Sequence, residues 1–135
     1  MELLIVVIIV GILAGFSLVQ YFRMTRRAYA TEGVHLVGAV LDSEWAYLAE
    51  NRIQYTGNPS ELMLDLPPEG PNEHFDFEIY PAGNSGQRGF PTVRVFAVGE
   101  DDSPAAHMIV TGTMGPDGTR QINVIDTSGF MRDPT

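Results

Sequence analysis

Between Leu3 and Val19 the chain carries one polar side chain, Ser17, and after Tyr21 the pattern becomes one-sided. Val34, Val37, Leu41, Trp45 and Leu48 recur at spacings of three and four, with Val40 and Tyr47 widening the stripe. That spacing places apolar residues on one face of a helix. No proline precedes Pro59, and Gly33 and Gly38 each weaken a helix by about 1 kcal/mol relative to alanine without ending it. The pattern therefore predicts one helix from Met1 to about Tyr55, roughly 80 Å long at about 1.5 Å per residue. Its first half is apolar on every side and has no soluble core to enter. Its second half has one face to lay against a sheet, and places Glu32, Asp42, Glu50 and Asn51 toward solvent or neighbours.

Thr56-Gly57-Asn58-Pro59 is a stop. Asn58 is placed to cap a short helical turn with Pro59 first and Glu61 three residues after the cap. Residues 56–73 otherwise read as an irregular connection, closed by Pro67-Pro68 and Gly70-Pro71. Four stretches then alternate between apolar and polar positions: Phe75 to Tyr80, Thr92 to Val98, Ala106 to Met114 and Thr119 to Asp126. Alternation at a period of two predicts half-buried strands. Turn residues separate them at Gly83–Gly86, Glu100–Pro104 and Gly115–Gly118. Connections this short favour an antiparallel meander, since parallel strands need long crossovers. Thr127 to Thr135 reads as loop. The expected fold is α+β, a long N-terminal helix packed on a four-stranded antiparallel sheet. It divides into an apolar helix half of membrane-spanning character (1–22), an amphipathic half (23–55) and a sheet-built head (56–135).

The first stretch also carries a family signature. Glu2-Leu3-Leu4-Ile5-Val6-Val7-Ile8-Ile9-Val10-Gly11-Ile12-Leu13-Ala14, followed by Gln20-Tyr21, resembles the N-terminal signature of type IV pilins and of the pseudopilins of type II secretion. The likeness is dense over Met1 to about Tyr21, roughly a sixth of the chain. Two departures stand out. Met1 lies about three residues inside the methylated phenylalanine with which mature members begin, and Val19 stands where many members have proline. The resemblance implies a pilin fold and non-covalent polymerisation into a filament. It also implies that the Glu2 carboxylate neutralises the N-terminal amine of a neighbouring subunit during assembly, and that an assembly machinery and minor pilins serve as partners.

Other residues add to that picture. Leu3, Val6, Val10, Leu13 and Phe16 are expected to pack collectively on neighbouring helices, and Gly11 and Gly15 to allow close backbone approach, as small residues do. Arg23, Arg26 and Arg27 are expected to contact acids of adjacent subunits or lipid headgroups. An acid at position 2 and the absence of a small-x-small site argue for an anchor rather than a cleaved secretory signal. By the positive-inside rule alone, the three arginines would put the C-terminal side in the cytoplasm; the resemblance puts it outside. Both topologies stay open at this point.

Net charge is −9. Residues 1–55 hold four arginines and five acids, and residues 56–135 four arginines and twelve acids, so the acidity lies in the head. A nucleic-acid-binding surface would be basic, and no specific nucleic-acid binding is expected. With no cysteine, disulfides, thiolate metal sites and cysteine nucleophiles are excluded. Glu100-Asp101-Asp102 with Asp117 or Asp126 is the one arrangement of hard oxygen ligands to weigh for calcium, and an acidic solvated turn explains it better. His35, His74 and His107 have no ligand spacing, and no catalytic motif appears. The aromatic residues along the helix, from Phe16 to Tyr55, are expected to serve packing.

No enzyme activity and no cofactor or metal are expected. The expected function is that of a structural subunit, a major pilin of a type IV pilus-like filament for motility, adhesion or DNA uptake. It would sit in the inner membrane as a single-pass protein before assembly and in an extracellular filament afterwards. The alternatives are a pseudopilin and a monomeric membrane-anchored binding domain.

Overall fold

The structure is a computed structural model and describes residues 2–51, 55–62, 64, 74–82, 92–101 and 103–128. One helix, α1 (Glu2–Asn51, 50 residues), is followed by a 3-10 turn (Pro59–Glu61) and four strands. These are β1 (Phe75–Ala82), β2 (Thr92–Gly99), β3 (Met108–Met114) and β4 (Arg120–Asp126). The strands form one sheet in the order β1-β2-β3-β4 with every pair antiparallel. The expected long helix and antiparallel meander are both present. The helix is continuous across Gly33 and Gly38. Residues 52–54, at its expected end, the Gly83–Gly86 turn and most of the tail lie outside the described residues.

Strand registers place Phe75, Phe77 and Ile79 of β1 on the same face as Val93, Val95 and Ala97 of β2 and Met108, Val110 and Met114 of β3. That face receives Val37, Val40 and Leu41 of α1, all fully buried, and Tyr55 closes the far end. The hydroxyl of Tyr55 donates to the Gly115 carbonyl at 2.9 Å, so its polar end is satisfied where its ring is buried. Helix and sheet meet closely because two contact positions have no side chain. A Cβ on Gly112 of β3 would fall inside contact distance of Val37 and Leu41, and one on Gly33 would reach Val110 and Phe75 at 2.8 and 2.9 Å.

Local chemistry sets the ends. β3 begins at Met108 rather than Ala106, because His107 takes a left-handed conformation (φ 65) and completes the preceding turn. The β3–β4 turn uses Gly118 at φ 79, where the Trp45 ring of α1 lies against it. Pro81 sits in β1, an edge strand, which is where a residue without an N–H is tolerated. Asn58 caps the 3-10 turn, its side chain accepting from Ser60 N at 3.2 Å. The second half of the expected capping box is rearranged. Asn58 N donates to Thr56 Oγ1, while Glu61 accepts from the hydroxyls of Thr56 at 2.8 Å and Tyr47 at 3.1 Å.

Candidate functional site

Every residue from Glu2 to Met24 is exposed. The helix therefore leaves the head as a bare arm of roughly 35 Å, at about 1.5 Å per residue. By length and composition it is apolar enough to cross a membrane, and no part of its most apolar window is buried within the chain. Leu3, Val6, Val10, Leu13 and Phe16 follow one another at spacings of three and four and form one open stripe. Gly11 and Gly15 meet nothing within 4 Å of where a Cβ would stand, so both small positions face open space. The single polar side chain between Leu3 and Val19 is already satisfied: Ser17 Oγ donates to the Leu13 carbonyl at 2.9 Å. Back-bonding of this kind brings no unmet donor into hydrocarbon. That leaves Glu2, exposed in the first turn.

At the junction of arm and head the three arginines separate. Arg23 and Arg27 are exposed, with no ion-pair partner among the described residues. Arg26 does not reach outward, contrary to expectation. Its Nη2 lies 3.1 Å from Asp126 Oδ1 and its Nε donates to Oδ2 at 3.2 Å. The same Nη2 donates to the Ala106 carbonyl at 2.7 Å, and Nη1 reaches the Pro104 carbonyl at 3.5 Å. The reason is geometric. Arg26 lies one turn before Ala30, the first buried residue of the helix, and so faces the end of the sheet. A planar guanidinium matches a carboxylate bidentately while its remaining N–H groups take up turn carbonyls. The Asp126 side chain is 2% exposed. Burial opposes its charge, but hydrogen bonds from Ser128 and Arg26 prevail and hold its carboxyl below the usual range. Arg26 thus fastens the base of the head to the arm.

The acids of the possible calcium arrangement are distributed over both ends of the sheet. Glu100 and Asp101 sit in the β2–β3 turn at the arm end of the sheet, where Asp126 is taken by Arg26 and Ser128. Asp117 is in the β3–β4 turn at the opposite end, held below its usual pKa by hydrogen bonds from Thr119. Asp102 lies outside the described residues. Among the described residues no group of three His, Asp or Glu side chains could hold a metal ion. On the outer face of the sheet, Glu78, Tyr80, Ala82, Arg94 and Phe96 line a shallow hollow of about 560 Å³.

One residue escaped the pattern reading. Glu44 was not singled out, yet its side chain is fully buried. Its position gives the signal: it follows Val37, Val40 and Leu41 by seven, four and three residues, which is the apolar stripe itself. Comparison of the chain with protein-family models, with curated proteins and with solved structures returned no match.

Proposed function

We propose that this chain is a structural subunit, a major pilin, which polymerises non-covalently through its arm into a type IV pilus-like filament. The observation that supports this is the arm itself, apolar on every side from Leu3 to Val19 and wholly exposed from Glu2 to Met24. Burying one large aliphatic side chain is worth about 1.5–3 kcal/mol, so an arm this long left in water costs on the order of tens of kcal/mol. It must be held by lipid or by copies of itself. Before assembly the arm spans the inner membrane; in the filament neighbouring arms replace lipid, and the head faces outward.

Two features favour a polymer over a simple anchor. Glu2 places a carboxylate at the far end of the arm, where an acid in hydrocarbon costs about 2.5–3.5 kcal/mol unless a partner meets it. A cationic group of a neighbouring subunit meets that need and sets the register between arms. The stripe from Leu3 to Phe16, with Gly11 and Gly15 open beside it, gives neighbouring helices a surface for close packing. Contacts between arms offset along one direction are heterologous and do not close, so they produce a fibre. Arg23 and Arg27, exposed beside the arm on a chain of net charge −9, are placed to meet acidic heads of adjacent subunits. An assembly machinery and minor pilins belong to this reading.

Electron microscopy of material sheared from cells tests it, with Glu2→Ala as the comparison. Thin fibres built from this chain, at least tenfold fewer in the variant while the subunit stays in the membrane fraction, is the expected result. A wild-type protein that stays in the membrane without forming long fibres overturns it in favour of a pseudopilin or a tethered head.

A further inference from the structure

Where the chain leaves α1, two carboxylates converge on one residue. Glu44 Oε2 accepts the backbone N–H of Thr56 at 3.0 Å, and Glu61 Oε2 accepts the Thr56 hydroxyl at 2.8 Å. Glu61 is exposed and well supplied, since Tyr47 also donates to it. These hydrogen bonds hold its carboxyl below the usual range, and it stays charged. Glu44 is in the opposite position. Its side chain is fully buried, and among the described residues Oε1 has no hydrogen-bond partner. A buried carboxylate with an oxygen facing no donor is costly, whereas a buried carboxylic acid is tolerated.

We propose that Glu44 is a proton-operated latch: protonated, it holds the connection after the long helix against the head through Thr56, and loss of its proton releases that connection. The titratable groups that face it do not favour a charge on it. Glu61, from the 3-10 turn, adds negative charge next to it. Tyr47, one turn along α1, is engaged with Glu61. Tyr55, from the connection, has its own ionisation suppressed by burial first, then by Glu44, with Asp117 of the β3–β4 turn adding to it. Arg120 of β4 is bound to Asp42. Among the described residues no cation offsets a charge on Glu44. Burial, against the Thr56 hydrogen bond and aided by Glu61, pushes its pKa up to about 7.

The direction of the pH effect follows from the shift. The docked state holds a proton that the released state, with an ordinary glutamate, gives up near 4.5. Docking is therefore fully favoured below pH 4.5, weakens as pH rises through that window, and levels off above about 7. Within the window the docked-to-released ratio falls about tenfold per pH unit, the slope for one linked proton. The exposed arm takes no part in this, so the latch does not depend on polymerisation.

Carboxyl-carbon NMR of the full-length chain in detergent micelles, together with the exchange protection factor of the Thr56 amide, tests the proposal between pH 4.5 and 8. The expected result is a Glu44 midpoint near 7 and Thr56 protection falling about tenfold per unit below it. Glu44→Gln, a neutral mimic of the protonated acid, should make protection independent of pH. A Glu44 midpoint in the ordinary glutamate range, or wild-type protection that does not change with pH, overturns the latch. So does a Glu44→Gln slope equal to that of wild type. The two wild-type readings decide the matter even if the variant does not fold.

Discussion

The two halves of α1 share one continuous helical backbone, yet the chain treats them in opposite ways. From Ala30 to Leu41 the helix buries one stripe against the sheet and leaves the rest to water. From Leu3 to Phe22 it presents large apolar side chains all round and buries none of them within the chain. What separates the halves is the surroundings each requires. The inner half finds its complement in β2 and β3, where Gly112 lets Val37 and Leu41 approach. The outer half has no complement in its own chain, so its energy appears only when lipid or another copy is present.

Matched truncations would break or sharpen that contrast, and they carry the largest expected effect. Leu41 is fully buried, and Leu41→Ala should destabilise the head by about 2–5 kcal/mol, read as a lowered midpoint in chemical denaturation in micelles. Leu13, at 60% exposure, should behave differently. Leu13→Ala should leave the head's denaturation midpoint unchanged within about 0.5 kcal/mol and should reduce filament yield. If Leu13→Ala loosened the head as much as Leu41→Ala, the arm would have to fold back on it, and the division drawn here would be wrong.

The junction between the halves comes next. Arg26→Gln leaves Asp126 buried with its guanidinium partner gone, and breaking a buried pair this way costs about 3–5 kcal/mol. Because Ser128 still donates to Asp126 through its N–H and hydroxyl, about 2 kcal/mol is expected here. The loss should depend on pH with a definite sign. The folded pKa of Asp126 is depressed, so its contribution is present above the ordinary aspartate range and is lost as pH falls through the depressed value. The gap between wild type and variant should therefore be widest near neutrality and close in acid. A gap that did not change with pH would mean that Arg26 matters through its packing alone.

Much of this architecture was legible from letters alone. The uninterrupted apolar run, the one-sided stripe after it, and four alternating segments between turn residues give the long helix and the meander. What was not legible sits at the two ends of one stripe. Arg26, Ala30, Gly33, Val37, Leu41 and Glu44 succeed one another at spacings of three and four, and all six turn toward the head. Reading only apolar letters assigns the middle of that series to the core and sends its charged ends to solvent or to neighbours. The sheet decides otherwise. At one end it supplies Asp126 and two turn carbonyls for a guanidinium, and at the other the returning chain supplies the N–H of Thr56 for a carboxyl. Neither partner is near in sequence to the residue it satisfies, so periodicity could mark the positions but not their roles. Arg23 and Arg27 lie off that contact and keep the exposure expected of them.

The smallest effect should come from the second tie between helix and sheet. Arg120 of β4 meets Asp42 of α1 at 3.0 Å, with the two side chains 54% and 67% exposed. In composition this pair matches Arg26–Asp126, an arginine and an aspartate joining α1 to β4, with donor and acceptor exchanged between the elements. Solvent is the difference. An exposed pair is screened by water and salt and gives up side-chain freedom to form, so its net worth is small. Arg120→Gln should shift head stability by no more than about 0.5 kcal/mol, and raising the salt concentration should remove even that. Denaturation of both arginine variants at low and high salt makes the comparison direct. Equal costs at the two sites would show that burial does not set the value of these pairs, and the strength assigned to the Arg26 junction would then need another source.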